Sequence, residues 1–381
     1  MARSLDGASA LVTGGAGLIG SHVVDLLLER GCKVVILDNL EKQTHRGGKP
    51  PRWIPKKAKL LRGDVRRKAD LKAALKGVDF VFHEAAYGGF TPEISKYYDA
   101  NVTGTARLFE AINEMKEKPR KVVVASSQAI YGEGAYRCAE HGMVHPGRRA
   151  AADFARSSWE PNCPSCGLAA DPMPTPETVN ADPWLPYSIS KYGEERAALA
   201  LGERFGVPTT ALRYGVTYGP RQSLFNPYTG VVSIFCTRIA NGLAPVVYED
   251  GRQIRDFTFV GDVARANLFA AERPETDFGA FNVCTGRGTR VSELARLLAR
   301  LLGREGLEPE IRGEFRPGDS RHLVLDGGKL AALGFAAQVP LERGLELFLG
   351  WLNAQGKVKE YFTSAERELR RWGVVKEGAR R

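Results

Sequence analysis

Strand-length apolar runs alternating with helical patterns predict an α/β protein: a doubly wound parallel sheet with a smaller C-terminal α/β domain. Two further observations point the same way. A glycine-rich turn directly follows the first apolar run, and an aspartate closes the second. The first run, Ala8 to Thr13, leads through the glycines into a helix with Ile19, Val23, Leu26 and Leu27 on one face. Gly31 ends that helix, and Lys33 to Leu37 forms the second strand, closed by Asp38. The alternation continues with Lys59 to Arg62 and a helix to Lys76, then Asp79 to His83 and a helix over Asn101 to Met115, then Lys121 to Ala125. Such continuous apolar strands suit a sheet covered on both faces.

The rhythm breaks between Gly132 and Asp182, and Pro161 to Pro186 alone holds seven of the 21 prolines. Alternation resumes with a helix over Leu185 to Phe205 and a strand over Thr209 to Arg213, so 133–182 reads as an insertion within a first domain of residues 1–214. Residues 215–381 form the second domain, with some segments expected to pack back on the first.

Composition narrows the function classes. A chain of 381 residues that is 43% hydrophobic and 26% charged is neither disordered nor a disulfide mini-domain, and no apolar run is long enough to span a membrane. Six cysteines and no leader pattern at the start suggest a reducing, cytoplasmic location. The net charge of +10 is concentrated: Lys42 to Lys76 holds 13 Lys/Arg against Asp64 and Asp70. That stretch reads as a solvated rim attracting anionic nucleotides, with a nucleic-acid face as the alternative.

Thr13-Gly14-Gly15-Ala16-Gly17-Leu18-Ile19-Gly20 lies between strand and helix. Gly14 suits the tight turn, Gly17 the close approach of a pyrophosphate, and Gly20 the packing of helix on strand. Free amides at Leu18 and Ile19 would meet the pyrophosphate. Asp38, 18 residues beyond Gly20, is placed to accept both ribose hydroxyls and to repel a 2′-phosphate, which favours NAD over NADP. Tyr187 and Lys191 are one helical turn apart, so an ammonium can lower the phenol pKa and make it a general base. Ser127 follows the fifth strand, at the sheet edge where doubly wound folds bind ligands.

Together with Asp38-Asn39-Leu40, Gly63-Asp64-Val65, His83-Glu84-Ala85-Ala86, Asn101, Tyr218-Gly219-Pro220-Arg221, Arg255-Asp256-Phe257 and Arg316-Pro317-Gly318-Asp319, these motifs resemble the extended short-chain dehydrogenase/reductases, specifically the nucleotide-sugar epimerases of the UDP-galactose 4-epimerase type. The resemblance implies a Rossmann fold, bound NAD, a UDP- or dTDP-sugar substrate and a homodimer formed through helices near Asn101 and Tyr187. It puts Asn39, Asp64, Val65, Ala85, Ala86, Asn101, Tyr187, Lys191 and Tyr214 around the cofactor. Tyr187 is then the base and Ser127 its hydrogen-bonding companion beside the sugar. Arg255, Arg316 and Asp319 fall at the diphosphate, where arginine's planar fork suits phosphate oxygens.

Gly215-Val216 stands where the family has Phe-Asn, and Asn226 is the expected substitute for the missing amide. Family dehydratases and decarboxylases carry an acid after the Ser127 position, but this chain has Gln128 and Ala129. Asp38 speaks against the NADPH-dependent reductases. Epimerisation at C4 is the expectation. The alternatives are another epimerase or oxidoreductase of the family, or a redox-inactive NAD fold that binds nucleic acid.

In the insertion, Cys138-x-x-His141 and Cys163-x-x-Cys166 supply four ligands at the spacing of a closed structural zinc site. His145 is the alternate fourth ligand, and a redox dithiol or inert thiols are the other readings. A Cys-bearing insertion here also resembles a subgroup of 4-epimerases that includes dTDP-L-rhamnose 4-epimerases.

Overall fold

A computed structural model describes residues 3–226, 228 and 230–378. Seven parallel strands form one sheet, in the spatial order Ala280–Val283, Thr209–Tyr214, Lys121–Ser127, Phe80–His83, Ser9–Thr13, Lys33–Asp38, Lys59–Arg62. Chain order runs outward from Ser9–Thr13 in one direction and then in the other, which is the doubly wound arrangement. The switch falls beside the glycine loop, where such sheets open a ligand crevice.

Both faces of the sheet are covered, so its strands are apolar throughout. On one side Val12, Val23, Val24, Ile36, Phe82 and Leu212 are fully buried; on the other, Leu11, Val81, Leu108, Ile112 and Val124 are. Burying a side chain of this size stabilises by about 1.5–3 kcal/mol. The division at 214 is crossed by later chain. Ala280–Val283 pairs in parallel with Thr209–Tyr214, and the helix Val260–Glu272 packs on Leu18–Glu29.

The remaining C-terminal chain makes a smaller layer. Ile254–Phe259 pairs with Val216–Tyr218, Gly288–Arg290 and His322–Leu323 around a second core of Phe235, Phe257, Leu298, Leu345 and Phe348. The helix expected over Asn101 to Met115 begins earlier: Ile94–Tyr97 runs through a π-helical turn over Tyr98–Thr103 into Gly104–Asn113. In the insertion, Tyr136–Cys138 pairs antiparallel with Gly142–Val144 and Asp171–Pro172.

Candidate active site

The helix Leu18–Glu29 starts at Gly17 with no side-chain cap and no acid in its first turn. Its first amides therefore lack an internal partner and face the crevice, the arrangement that binds an anion. Gly14 has φ +66°, and a Cβ there would stand 2.7 Å from the Ala85 amide nitrogen. A Cβ on Gly20 would stand 2.4 Å from the Gly14 carbonyl oxygen. The loop can thus be this tight only with glycine at both positions. It opens into a cleft of about 340 Å³ lined by Gly14, Gly17, Leu18, Ile19, Gly20, Asp38, Asn39, Asp64, Val65, Ala85, Ala86 and Tyr187.

Asp38 is nearly buried. Its Oδ2 accepts from the Ala16 amide (3.0 Å), its Oδ1 from that of Leu40 (2.8 Å). Burial works to raise the Asp64 carboxyl, but the Arg66 fork and the Asn39 amide hold it down at about 2. The basic stretch forms the outer rim: Lys42, Arg62, Arg66 and Arg67 line a groove that shares Asn39, Glu41 and Asp64 with the cleft. Its one tryptophan, Trp53, donates to the Ala16 carbonyl and so braces the glycine loop. Glu84 also lines the cleft. Burial pushes its carboxyl up to about 7, with the Tyr214 hydroxyl and Lys191 pulling the other way, and its Oε2 has no partner. Uncapped amides, an acid beside Leu40 at the end of the second strand and an orphaned oxygen in the crevice fit an NAD molecule.

Two residues expected at the cofactor stand behind it. Asn101 is fully buried: its Oδ1 accepts from the Tyr87 amide (2.7 Å), and its Nδ2 donates to the Tyr87 carbonyl and to Ser190 Oγ (2.8 Å). With its amide consumed, Asn101 ties the loop after the fourth strand to the Tyr187 helix. Tyr214 gives its hydroxyl to Glu84 Oε1 (3.0 Å) and accepts from Asn267 Nδ2 (2.9 Å), beneath the cleft floor. Neither lines the cleft, and each spends its side chain on protein partners.

The helix Pro186–Phe205 begins with proline in its first turn and ends on Gly206 in the left-handed conformation. It carries Tyr187 to a place where two cavities meet: Tyr187 and Gly88 line both the cofactor cleft and a larger cavity of about 860 Å³. A Cβ on Gly88 would lie 3.3 Å from the Tyr187 ring. Lys191, buried one turn on, donates to the Ala125 carbonyl (2.7 Å) and to Glu194 Oε2 (2.6 Å). Burial works to lower its pKa, yet the charges of Glu194 and Tyr187 hold it above the usual lysine value. Glu194 had no signal in the sequence, because its role depends on being buried. Ser127 ends the fifth strand with its Oγ accepting from the Ala129 amide (3.1 Å) rather than meeting Tyr187.

Arg255 and Arg316 both line the larger cavity, with Asp319 between them. Asp319 reaches Arg316 at 3.1 Å and Arg255 at 3.4 Å. Arg316 is sandwiched over Phe90 (4.3 Å) and Tyr248 (5.0 Å), and its Nε has no partner. Its planar guanidinium is therefore held in place before any ligand arrives. Asn226 is a correction: it lines the cofactor cleft rather than this cavity, its Oδ1 accepting from the Tyr228 amide (3.0 Å). Trp372, from the chain after the last helix Phe362–Arg371, stacks on Tyr228 and closes part of the cavity wall.

The four Cys and His side chains singled out in the insertion converge. Cys138 Sγ is 3.6 Å from Cys166 Sγ and 3.7 Å from His141 Nδ1, which is also 3.7 Å from Cys163 Sγ. All four ligand atoms lie within 4.8 Å of one another. Zinc–sulfur bonds of about 2.3 Å in a tetrahedron put sulfurs about 3.8 Å apart. Gly167, with φ +73°, turns the chain so that its amide meets the Cys163 carbonyl (2.9 Å). His145 is committed elsewhere, its Nε2 to the Glu133 carbonyl (2.7 Å).

The family described as NAD dependent epimerase/dehydratase matches residues 10–148 and 162–284. The chain belongs to that family. Its sequence is 34% identical to the dTDP-L-rhamnose 4-epimerase of Burkholderia thailandensis, over 92% of this chain and 96% of that protein. Its structure is similar to a UDP-glucose 4-epimerase of Thermotoga maritima with UDP-glucose: TM-score 0.74, 31% identity, 91% of this chain and 99% of that one. A UDP-glucose 4-epimerase of Thermus thermophilus in complex with NAD gives a TM-score of 0.70 at 31% identity, over 92% and 100%. The resemblance drawn from the motifs holds at the level of the family. The family match skips 149–161, within the insertion.

Proposed function

We propose that this family member is an NAD-dependent nucleotide-sugar 4-epimerase acting on a UDP- or dTDP-hexose. The observation that carries the reading is the position of Tyr187, shared by the glycine-loop cleft and the cavity that holds Arg255 and Arg316. Arg255 and Arg316 would bind the diphosphate in that cavity. The sugar then extends toward Tyr187, with Ser127 as a neighbouring hydroxyl. Tyr187, with Lys191 behind it, takes the proton of the sugar 4-hydroxyl and gives it back after the 4-ketone has turned over in the cavity. NAD held by the glycine loop, Asp38 and Asp64 supplies a reversible hydride acceptor, chemistry that side chains lack. The largely apolar walls beside Tyr187, among them Phe90, Pro92, Ala129 and Trp184, together with the name of the Burkholderia relative, favour a 6-deoxyhexose.

The experiment is incubation of purified protein with a panel of UDP- and dTDP-hexoses, without added cofactor, and product analysis by NMR. A C4-inverted product is expected. Tyr187→Phe should lower kcat by about 10²–10⁴-fold with NAD content unchanged. Every sugar returned unaltered by NAD-loaded protein would end the reading.

The proposal includes a structural zinc held by Cys138, His141, Cys163 and Cys166, supported by four converging ligand atoms and sulfurs too far apart for a disulfide. It also includes a homodimer, formed through the adjoining helices Gly104–Asn113 and Pro186–Phe205, and a cytoplasmic location. No described helix is long and apolar enough to cross a membrane. Nucleic acid is not expected as a partner, because the basic stretch rims the nucleotide cleft and Trp53 is engaged by the glycine loop.

A further inference from the structure

The insertion contributes no wall to the large cavity; that lining passes from Gly132 to Trp184. It stands behind the wall instead, against the loop that carries Arg316 and Asp319. Arg149, buried, donates to the Asp319 carbonyl (2.7 Å) and to Glu249 (2.8 Å), and lies over the Phe154 ring. Glu160 binds the next residues of the loop: its Oε1 accepts from Arg321 Nε (3.1 Å) and Nη2, its Oε2 meets His322 Nε2 (2.7 Å). Arg321 is fully buried and also held by Glu249 and Asp250. Phe154 stacks on Phe315, directly before Arg316. On the other side, Arg255 donates to the carbonyls of Ser320 (2.6 Å) and Arg321 (3.0 Å). The loop that presents Arg316 is also tied by Ser320 Oγ to the Gly132 carbonyl, by the Glu133 carboxylate to the Arg321 and His322 amides, and by the Phe315–Lys376 bridge. Arg149 and Glu160 add the side-chain contacts that come from 149–161.

Glu160 lies three residues before Cys163, and the chain between them is pinned by the Asn162–Ala169 bridge and the Cys163–Leu168 backbone bond. A metal that fixes Cys163 therefore fixes where Glu160 can reach. Both Arg149 and Glu160 fall in the stretch that the family match omits.

We propose that Arg149 and Glu160 are positioning residues for the nucleotide diphosphate, and that the Cys138/His141/Cys163/Cys166 centre acts through them to set substrate affinity. The inference rests on the diphosphate and zinc readings above. Loss of the metal loosens Glu160, Arg321 and His322 lose that partner, and the loop holds Arg316 less firmly in its place relative to Arg255. The cofactor cleft, on the other side of Tyr187, is untouched.

The test measures dissociation constants for UDP and dTDP by calorimetry, with NAD and metal content, in wild type, Glu160→Gln, Arg149→Ala, Arg149→Lys and Cys163→Ser. Metal-stripped wild type is the arm that needs no variant. Expected is at least ten-fold weaker binding of the preferred nucleotide in Glu160→Gln with zinc and NAD retained, and partial recovery in Arg149→Lys relative to Arg149→Ala. Cys163→Ser and stripped wild type should show the same weakening with zinc gone and NAD held. On the turned-over sugar nucleotide, KM should rise and kcat should stay within about two-fold. Binding in Glu160→Gln within two-fold of wild type overturns the positioning role. Metal-free wild type that binds nucleotide normally overturns the metal's part alone. Wild type that binds neither nucleotide ends this inference together with the diphosphate reading.

Discussion

His83 sits at the end of the fourth strand with no exposure to solvent, its Nδ1 2.7 Å from Thr13 Oγ1 and its Nε2 3.0 Å from Thr105 Oγ1. Burial, aided by the nearby Lys191 charge, lowers its pKa to about 3, while the unfolded chain titrates near 6.5. Below pH 6.5 the unfolded state takes up this proton and the folded state does not. The stability His83 contributes is therefore complete above 6.5 and is lost as pH falls toward 3. Between pH 7 and pH 5 the loss amounts to about 2 kcal/mol. Buried Glu84 and Glu194, both raised to about 7 chiefly by desolvation, work in the opposite direction. Comparing wild type with His83→Asn by urea unfolding at the two pH values cancels them, and the variant should lose about 2 kcal/mol less on acidification. An equal slope in both would remove His83 from the account. None of this is legible in the sequence, where His83 is only one of six histidines. Its titration is set by burial and by Lys191, both products of the packed chain, in which its hydrogen-bond neighbours lie 70 and 22 residues away.

At the scale of elements, two glycines make opposite predictions. Gly20→Ala drives a methyl against the Gly14 carbonyl, so the start of helix Leu18–Glu29 must shift. It should destabilise by about 1–3 kcal/mol and yield protein depleted of NAD, read by melting temperature and released cofactor. Gly350, exposed in the helix Leu341–Ala354, has nothing within 4 Å of where a Cβ would stand. Gly350→Ala should stabilise by up to about 1 kcal/mol with NAD unchanged. The glycine loop could be read in advance because strand, turn and helix are contiguous and each glycine answers a local steric demand. The π-helical turn over Tyr98–Thr103 could not. Nothing in its residues marks it, and Asn101's full set of tertiary bonds accompanies it.

At the scale of the molecule, the insertion is a small layer whose own aromatic cluster is Phe154 and Trp159, packed on Phe315 of the C-terminal chain. So small an apolar cluster cannot hold some 50 residues in place without further ties. Chelation should therefore open proteolytic sites within 133–182 before any in the seven-stranded sheet, with NAD still bound, as mass mapping of the fragments would reveal. Simultaneous cleavage across the chain would mean that the metal supports the whole fold.

The doubly wound sheet, the glycine loop with Asp38, the Tyr187/Lys191 turn and the Cys138/His141/Cys163/Cys166 cluster were all readable from residue spacing, because each is built from short local signatures. Folding decided the rest. Asn101 and Tyr214 spend their polar groups on buried partners, Asn226 faces the cofactor cleft, and Arg149 and Glu160 reach a loop more than 150 residues away. A polar side chain's role follows from which distant groups desolvate it and bond to it, and only the packed chain brings those groups together.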